Sequence, residues 1–170
     1  MEVTDFVKPF VADGHDFIRT STSELLRSHH EVKILGKRSR TEAKASTAPP
    51  EPVRTIERPR FFSHYVMNLP ASALTFLPDF IGLYSEEDRR LLPPDFELPM
   101  VHAYCFSTKS DDNVREGVQI CEEVSRQIGH VITPQTPETT IWDVRDVAPN
   151  KRMFCASFRL PKEVAFRQRV

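Results

Sequence analysis

The sequence predicts an α/β fold: a mostly parallel sheet with helices on both faces, ending in an antiparallel hairpin. Three observations carry this. Short apolar and aromatic runs alternate with segments of helical periodicity along most of the 170 residues. The clearest helical segment, 113–128, places Val114, Val118, Cys121, Val124 and Ile128 at i, i+4, i+7, i+10 and i+14, and Gly129 follows as a stop. Near the carboxyl end, two strand-like runs are joined by Ala148-Pro149-Asn150-Lys151, a hairpin turn. The order strand, helix, strand, helix, strand, helix, strand, strand is that of a parallel sheet with crossover helices.

The elements follow in order. Phe6 to Val11 reads as a short strand closed by Ala12-Asp13-Gly14. A helix from about His15 to Ser28 carries Phe17, Ile18, Thr22, Leu25 and Leu26 as its apolar stripe. Asp13 is placed to cap that helix, and the same carboxylate could instead face a ligand at a strand end; local sequence leaves both readings open. Residues 29–60 break the pattern with Lys37-Arg38-Ser39-Arg40 and a small, polar, Pro-rich tract. Such composition buries too little apolar surface to offset ordering, so a disordered insertion is expected within about 30–60, chiefly 36–58.

Order resumes at a strand over 61–67 that ends in Asn68-Leu69-Pro70. A helix over about 71–81 follows, with Pro78 inside it as a source of kinking or shortening. Residues 84–99 read as an acidic, Pro-containing loop and 100–106 as a buried strand. The final strands run from Thr139 to Val147 and from Met153 to Leu160, with Trp142 and Phe154 expected in the core beneath them.

Composition narrows the function classes. A hydrophobic content of 39%, a charged content of 28% and a net charge of −1 suit one globular domain and give no whole-chain argument for binding a polyanion. The three cysteines, Cys105, Cys121 and Cys155, lack CxxC spacing and read as core thiols of a reducing compartment. No His or Cys set has metal-ligand spacing. No apolar run approaches the roughly 18 residues that span a bilayer, and Met-Glu-Val-Thr-Asp-Phe has no signal or presequence architecture.

Asn68 closes a strand where α/β sheets bind ligands; its amide can donate and accept, while Pro70 stiffens the exit. The chain is rich in such cues: Val7–Ile18 (Val-Lys-Pro-Phe-Val-Ala-Asp-Gly-His-Asp-Phe-Ile), Tyr65–Ala73, Val101–Ser107 and Val144–Pro161 fall in one order. Together these blocks resemble the carboxyl-terminal half of the eukaryotic tRNA (guanine-N1)-methyltransferases, which act on guanosine 37, immediately 3′ of the anticodon. The resemblance covers essentially all of the chain outside 29–60.

The resemblance implies a Rossmann-like class I methyltransferase that uses S-adenosylmethionine as methyl donor and tRNA as substrate. It implies that Asp13 and Gly14 meet the adenosine part of the donor, and that Asn68 orients the methyl donor and the guanine base. It assigns Arg145, Asn150 and Lys151 to contact with RNA or to structural support, two readings left open. A monomer is expected, divided among cytoplasm, nucleus and mitochondrial matrix.

The departure is as informative. The five glycines (Gly14, Gly36, Gly82, Gly117, Gly129) form no G-x-G, so the Gly-rich cofactor loop that such enzymes carry is not in this chain. The chain therefore reads as part of a longer enzyme, inactive on its own. The alternatives are a non-catalytic truncated fragment and the related wybutosine-pathway transferase, which moves an aminocarboxypropyl group.

Overall fold

A computed structural model describes residues 7–36, 51–108 and 113–169. Its elements, in chain order, are α1 (Gly14–Arg27), β1 (Glu31–Leu35), β2 (Pro52–Glu57), β3 (His64–Met67), a 3-10 helix (Ala73–Phe80), α2 (Glu86–Arg89), β4 (Met100–Thr108), α3 (Asn113–Ile128), β5 (Thr140–Ala148), β6 (Lys151–Arg159) and α4 (Lys162–Ala165). The main sheet has the order β3-β4-β6-β5. β3 runs parallel to β4, and β6 pairs antiparallel with both β4 and β5.

Three of its four strands, β3, β4 and β5, thus run in one direction and β6 alone is reversed, as a parallel sheet ending in an antiparallel hairpin requires. One of its three strand pairings is parallel, because β6 returns through the predicted hairpin and inserts between β4 and β5. The helices differ from expectation in lying on one face. By the two-residue alternation of strands, Tyr65, Val101, Ala103, Cys105, Phe154, Ala156 and Phe158 share a face, and all join Ile18, Leu77, Phe80, Ile120, Val124 and Ile128 in one core. Strands added in a single direction by crossovers of one hand bring their helices to the same side. On the opposite face, Val66 and Trp142 are 65% and 66% exposed. Trp142 is therefore no core residue. Its neighbour Ile141 points inward against the core, and Phe154 is buried as expected.

Residues 7–11 form no strand, and Val7, Phe10 and Val11 are exposed. A strand exists only by pairing, and no described strand pairs with this segment. The expected insertion is partly ordered. β1 and β2 form a separate antiparallel pair in which Val32 stands opposite Ile56, and Val32 is buried. Val32 and Ile34 stand two residues apart on β1, with Ile56 facing Val32 from β2, a strand pattern that the surrounding polar composition obscured. Lys37-Arg38-Ser39-Arg40 lies outside the described residues.

Pro78 shortens the segment after β3 as anticipated. It lacks the N–H that an α-helix would use, and residues 73–80 wind as a 3-10 helix. The loop 84–99 contains the single turn α2, closed by a reciprocal capping box between Ser85 and Asp88.

In α3 the buried face is rotated from the expected stripe. Glu116, Ile120, Cys121, Val124 and Ile128 face inward, while Val114 is 75% exposed and Val118 is exposed as well. Glu116 turns inward because Arg152 of β6 lies 3.7 Å from it; Arg152 also meets Asp143 at 3.4 Å and Asp146 at 3.0 Å. Gly129 ends α3 with φ of 61°, the left-handed stop the sequence marked.

Candidate functional site

The chain folds so that the start of α1 and the end of β3 lie at one edge of the sheet. α1 runs back along β3: Thr22 and the Tyr65 hydroxyl share a 2.5 Å hydrogen bond midway. Burial raises the Tyr65 phenol pKa strongly, against the lowering effect of the Thr22 bond, so it stays protonated. The amino end of α1 consequently arrives beyond the carboxyl end of β3. There Gly14 meets Phe76 of the 3-10 helix so closely that a Cβ would stand 2.7 Å from the ring. Any larger residue at position 14 would have to displace that ring.

Asp13 caps α1. One carboxylate oxygen, Oδ1, accepts from the backbone N–H of His15 at 2.9 Å and of Asp16 at 3.3 Å. Both bonds fall on the same oxygen, so Oδ2 is outside the cap and Asp13 is exposed. Capping and ligand contact are thus compatible in one residue. Asn68 is exposed at the end of β3, and the chain then turns sharply, with Ser72 N–H and Ala73 N–H both donating to the Leu69 carbonyl.

Behind this corner stands a group that sequence reasoning missed. Asp79, 2% exposed, accepts from His15 Nδ1 at 2.5 Å and from Arg19 Nε at 2.7 Å. The His15 ring stacks on Phe76 with centroids 4.3 Å apart. Gly14, His15, Phe76 and Asp79 therefore lock α1 to the 3-10 helix that leaves Asn68. The available signal was a lone carboxylate inside the apolar run Phe76-Leu77-Pro78-Asp79-Phe80-Ile81.

Arg145, Asn150 and Lys151 are exposed and lie farther along the same edge. Lys151 Nζ sits 3.9 Å from the centroid of the Phe106 ring. β3 ends opposite Ala103, whereas β4 continues to Thr108 opposite Lys151. At about 3.3 Å per residue, those five further steps carry Lys151 roughly 16 Å beyond the level of Met67. Arg145 stands at the level of Met153, about two residues short of that. The structure ties Asp13-Gly14, through Phe76 and Asp79, to the segment that follows Asn68, and it leaves Arg145 and Lys151 too distant from the end of β3 to touch the same small group. Such an edge suits an extended ligand. Surface hollows of about 320, 370, 250 and 400 Å³ lie elsewhere; none is lined by Asp13, Gly14 or Asn68.

Cys105, Cys121 and Cys155 are buried and free, as read from sequence. Burial, then the nearby Cys155, pushes the Cys105 thiol up to about 12, which leaves it unreactive. Among the described residues no cluster of His, Cys, Asp and Glu could hold a metal ion. No helix among them is long and apolar enough to cross a membrane.

No family model and no solved structure matches the chain. Curated proteins do. A tRNA (guanine(37)-N(1))-methyltransferase of Phaeosphaeria nodorum is 55% identical over 98% of this chain and 40% of its own length. One from Fusarium vanettenii is 47% identical over 99% of the chain and 37% of its own length. One from Candida albicans is 38% identical over 98% and 39% respectively. The chain spans about two fifths of the length of the curated relatives it matches. Over nearly its whole length, the chain resembles the carboxyl-terminal part of the tRNA (guanine(37)-N(1))-methyltransferases.

Proposed function

We propose that this chain supplies one wall of the active centre of a tRNA methyltransferase acting on N1 of guanosine 37. The observation that supports the reading is the anchoring of the Asp13-Gly14 turn to the 3-10 helix that follows Asn68, in a chain that matches enzymes of that name over 98% of its length. The residues fit one half of S-adenosylmethionine. Asp13 keeps a carboxylate oxygen outside the helix cap, where it can accept from an adenine amino group. Gly14 follows in the same turn, seated against the Phe76 ring that holds this end of α1 in place. Asn68 can donate and accept on a guanine edge, which is orientation rather than proton transfer. When bound, S-adenosylmethionine supplies the electrophilic methyl group.

Among the described residues, no G-x-G loop is present to hold the rest of the donor. The monomeric state and the distribution among cytoplasm, nucleus and mitochondrial matrix remain part of this proposal by resemblance.

The test is methyl transfer by the full protein to tRNA transcripts bearing guanosine or adenosine at position 37. Transfer to guanosine alone is expected, and Asn68→Ala should lower the rate roughly a hundredfold while the fold survives. Product mass decides between a methyl and an aminocarboxypropyl addition. Equal transfer to both transcripts would overturn the reading.

A further inference from the structure

The carboxyl-terminal segment 166–169 builds a cationic groove beside the candidate site. It crosses Gly82, whose φ of 64° and lack of a side chain admit the Arg167 carbonyl to 2.4 Å from where a Cβ would be. Close contact fixes the segment there. Arg169 is pinned further: Nε donates to the Ile81 carbonyl and Nη2 to the Asp79 carbonyl, each at 2.7 Å. Arg167 donates to the Ile128 and Gly129 carbonyls at the end of α3. Arg19, on α1 little more than one turn from Gly14, is held by Asp79 through Nε and Nη2.

Two adjoining hollows, about 370 and 400 Å³, share Arg19, Arg167, Gln168 and Arg169 in their walls. The larger adds only Pro78 and Ile81 and has no carboxylate in its lining. The carboxylates of the smaller are engaged elsewhere: Asp88 meets Arg27 at 2.6 Å, and Glu86 lies 3.8 Å from Arg89. The Asp79 carboxylate is already divided between His15 and Arg19. Arg19 and Arg169 are close enough that Arg19, after burial, lowers the Arg169 pKa. Each also keeps a terminal nitrogen, Nη1, outside the bonds that hold it. Pre-positioned, like-charged guanidiniums with spare donors are the arrangement that receives phosphate oxygens.

We propose that this groove binds backbone phosphate of RNA, with Arg19 and Arg169 as the principal contacts and Gln168 on its rim. The assignment rests on the proposed function, and it places a phosphate on the same helix as Asp13 and Gly14.

Gln168 is the position to test, because it is exposed and its replacement removes none of the arginine bonds described above. The full protein, Gln168→Glu and Gln168→Lys are titrated into a labelled anticodon stem-loop RNA at several salt concentrations, with inorganic phosphate titrated separately and thermal melting as the fold check. Gln168→Glu should weaken RNA binding about fivefold and reduce the salt slope by about one, and Gln168→Lys should do the reverse. Affinity and slope unchanged in both variants would overturn the proposal. So would an effect on inorganic phosphate without one on RNA, since the occupant would then be a free anion. RNA affinity that responds while guanosine 37 is not methylated would leave the groove standing and remove the proposed reaction.

Discussion

Replacing Asp79 with alanine tests whether one buried carboxylate organises the corner. Asp79 is 2% exposed and accepts two hydrogen bonds from groups that can carry positive charge, His15 and Arg19. Charge-assisted bonds contribute about 1.5–3 kcal/mol each when shielded from water. Here the donors are 41% and 50% exposed, so about half of that survives solvent screening. The expected loss is about 1.5–3 kcal/mol, which in a domain of this size lowers the melting temperature by roughly 3–12 °C. The Arg169 bond goes to the Asp79 carbonyl and is retained. Asp79→Asn, which keeps an acceptor and loses the charge, should fall about halfway. The measurement is thermal and urea unfolding followed by circular dichroism. A melting temperature within about 2 °C of the parent for Asp79→Ala would refute the argument, because the network would then carry no net stability.

Four other outcomes follow from the same geometry. Burial resists ionisation of Asp88, but hydrogen bonds from Ser23 and Ser85 and the charge of Arg27 outweigh it and lower its pKa. A depressed folded pKa means stability present above about pH 4 and lost as pH falls further, so Asp88→Asn should flatten the acid limb of a stability-against-pH curve. His102 is lowered first by burial and then by His64, whose Nδ1 lies 2.9 Å from His102 Nε2. Its imidazole should titrate below the usual range by NMR, move upward in His64→Ala, and contribute stability above about pH 6.5 that is lost as pH falls. Trp142, 66% exposed, should fluoresce much as in the denatured chain, and Trp142→Ala should change stability by under about 1 kcal/mol. In Gly14→Ala the new Cβ must displace the Phe76 ring, so unfolding should show a loss of roughly 1–2 kcal/mol despite alanine's helix propensity.

Legibility of the fold from sequence depended on whether an element's signal was local. α1 announced itself by periodicity and a capping Asp13, α3 by periodicity and Gly129, and β5–β6 by the Asn150-Lys151 turn; all three are present. Errors arose where pairing decides the outcome. Val7-Lys8-Pro9-Phe10-Val11 has strand composition and no strand partner among the described residues, while Val53-Arg54-Thr55-Ile56 sits in a polar tract and finds one in β1. Strand order was equally non-local: the turn at 149–150 announced that β6 reverses, but not that it inserts between β4 and β5. The rotation of α3 goes with the ion pair of Glu116 and Arg152, which periodicity cannot see.

For the site, the legible residues were those at element ends, and the illegible ones were those that hold the ends together. Asp13 and Asn68 stand out because a helix begins at one and a strand stops at the other. His15 and Asp79 are separated by 64 residues, and nothing in either neighbourhood reports the 2.5 Å contact. That contact changes how Asp13 is understood. A cap residue at a loose helix end would wander with it, and its carboxylate would make a poor ligand. With His15 bound to Asp79, Phe76 stacked on His15 and Gly14 seated on Phe76, the first turn of α1 is tied to the segment leaving Asn68. The cap and the strand end then keep one spacing. A site assembled from two separate elements needs that before either residue can position anything.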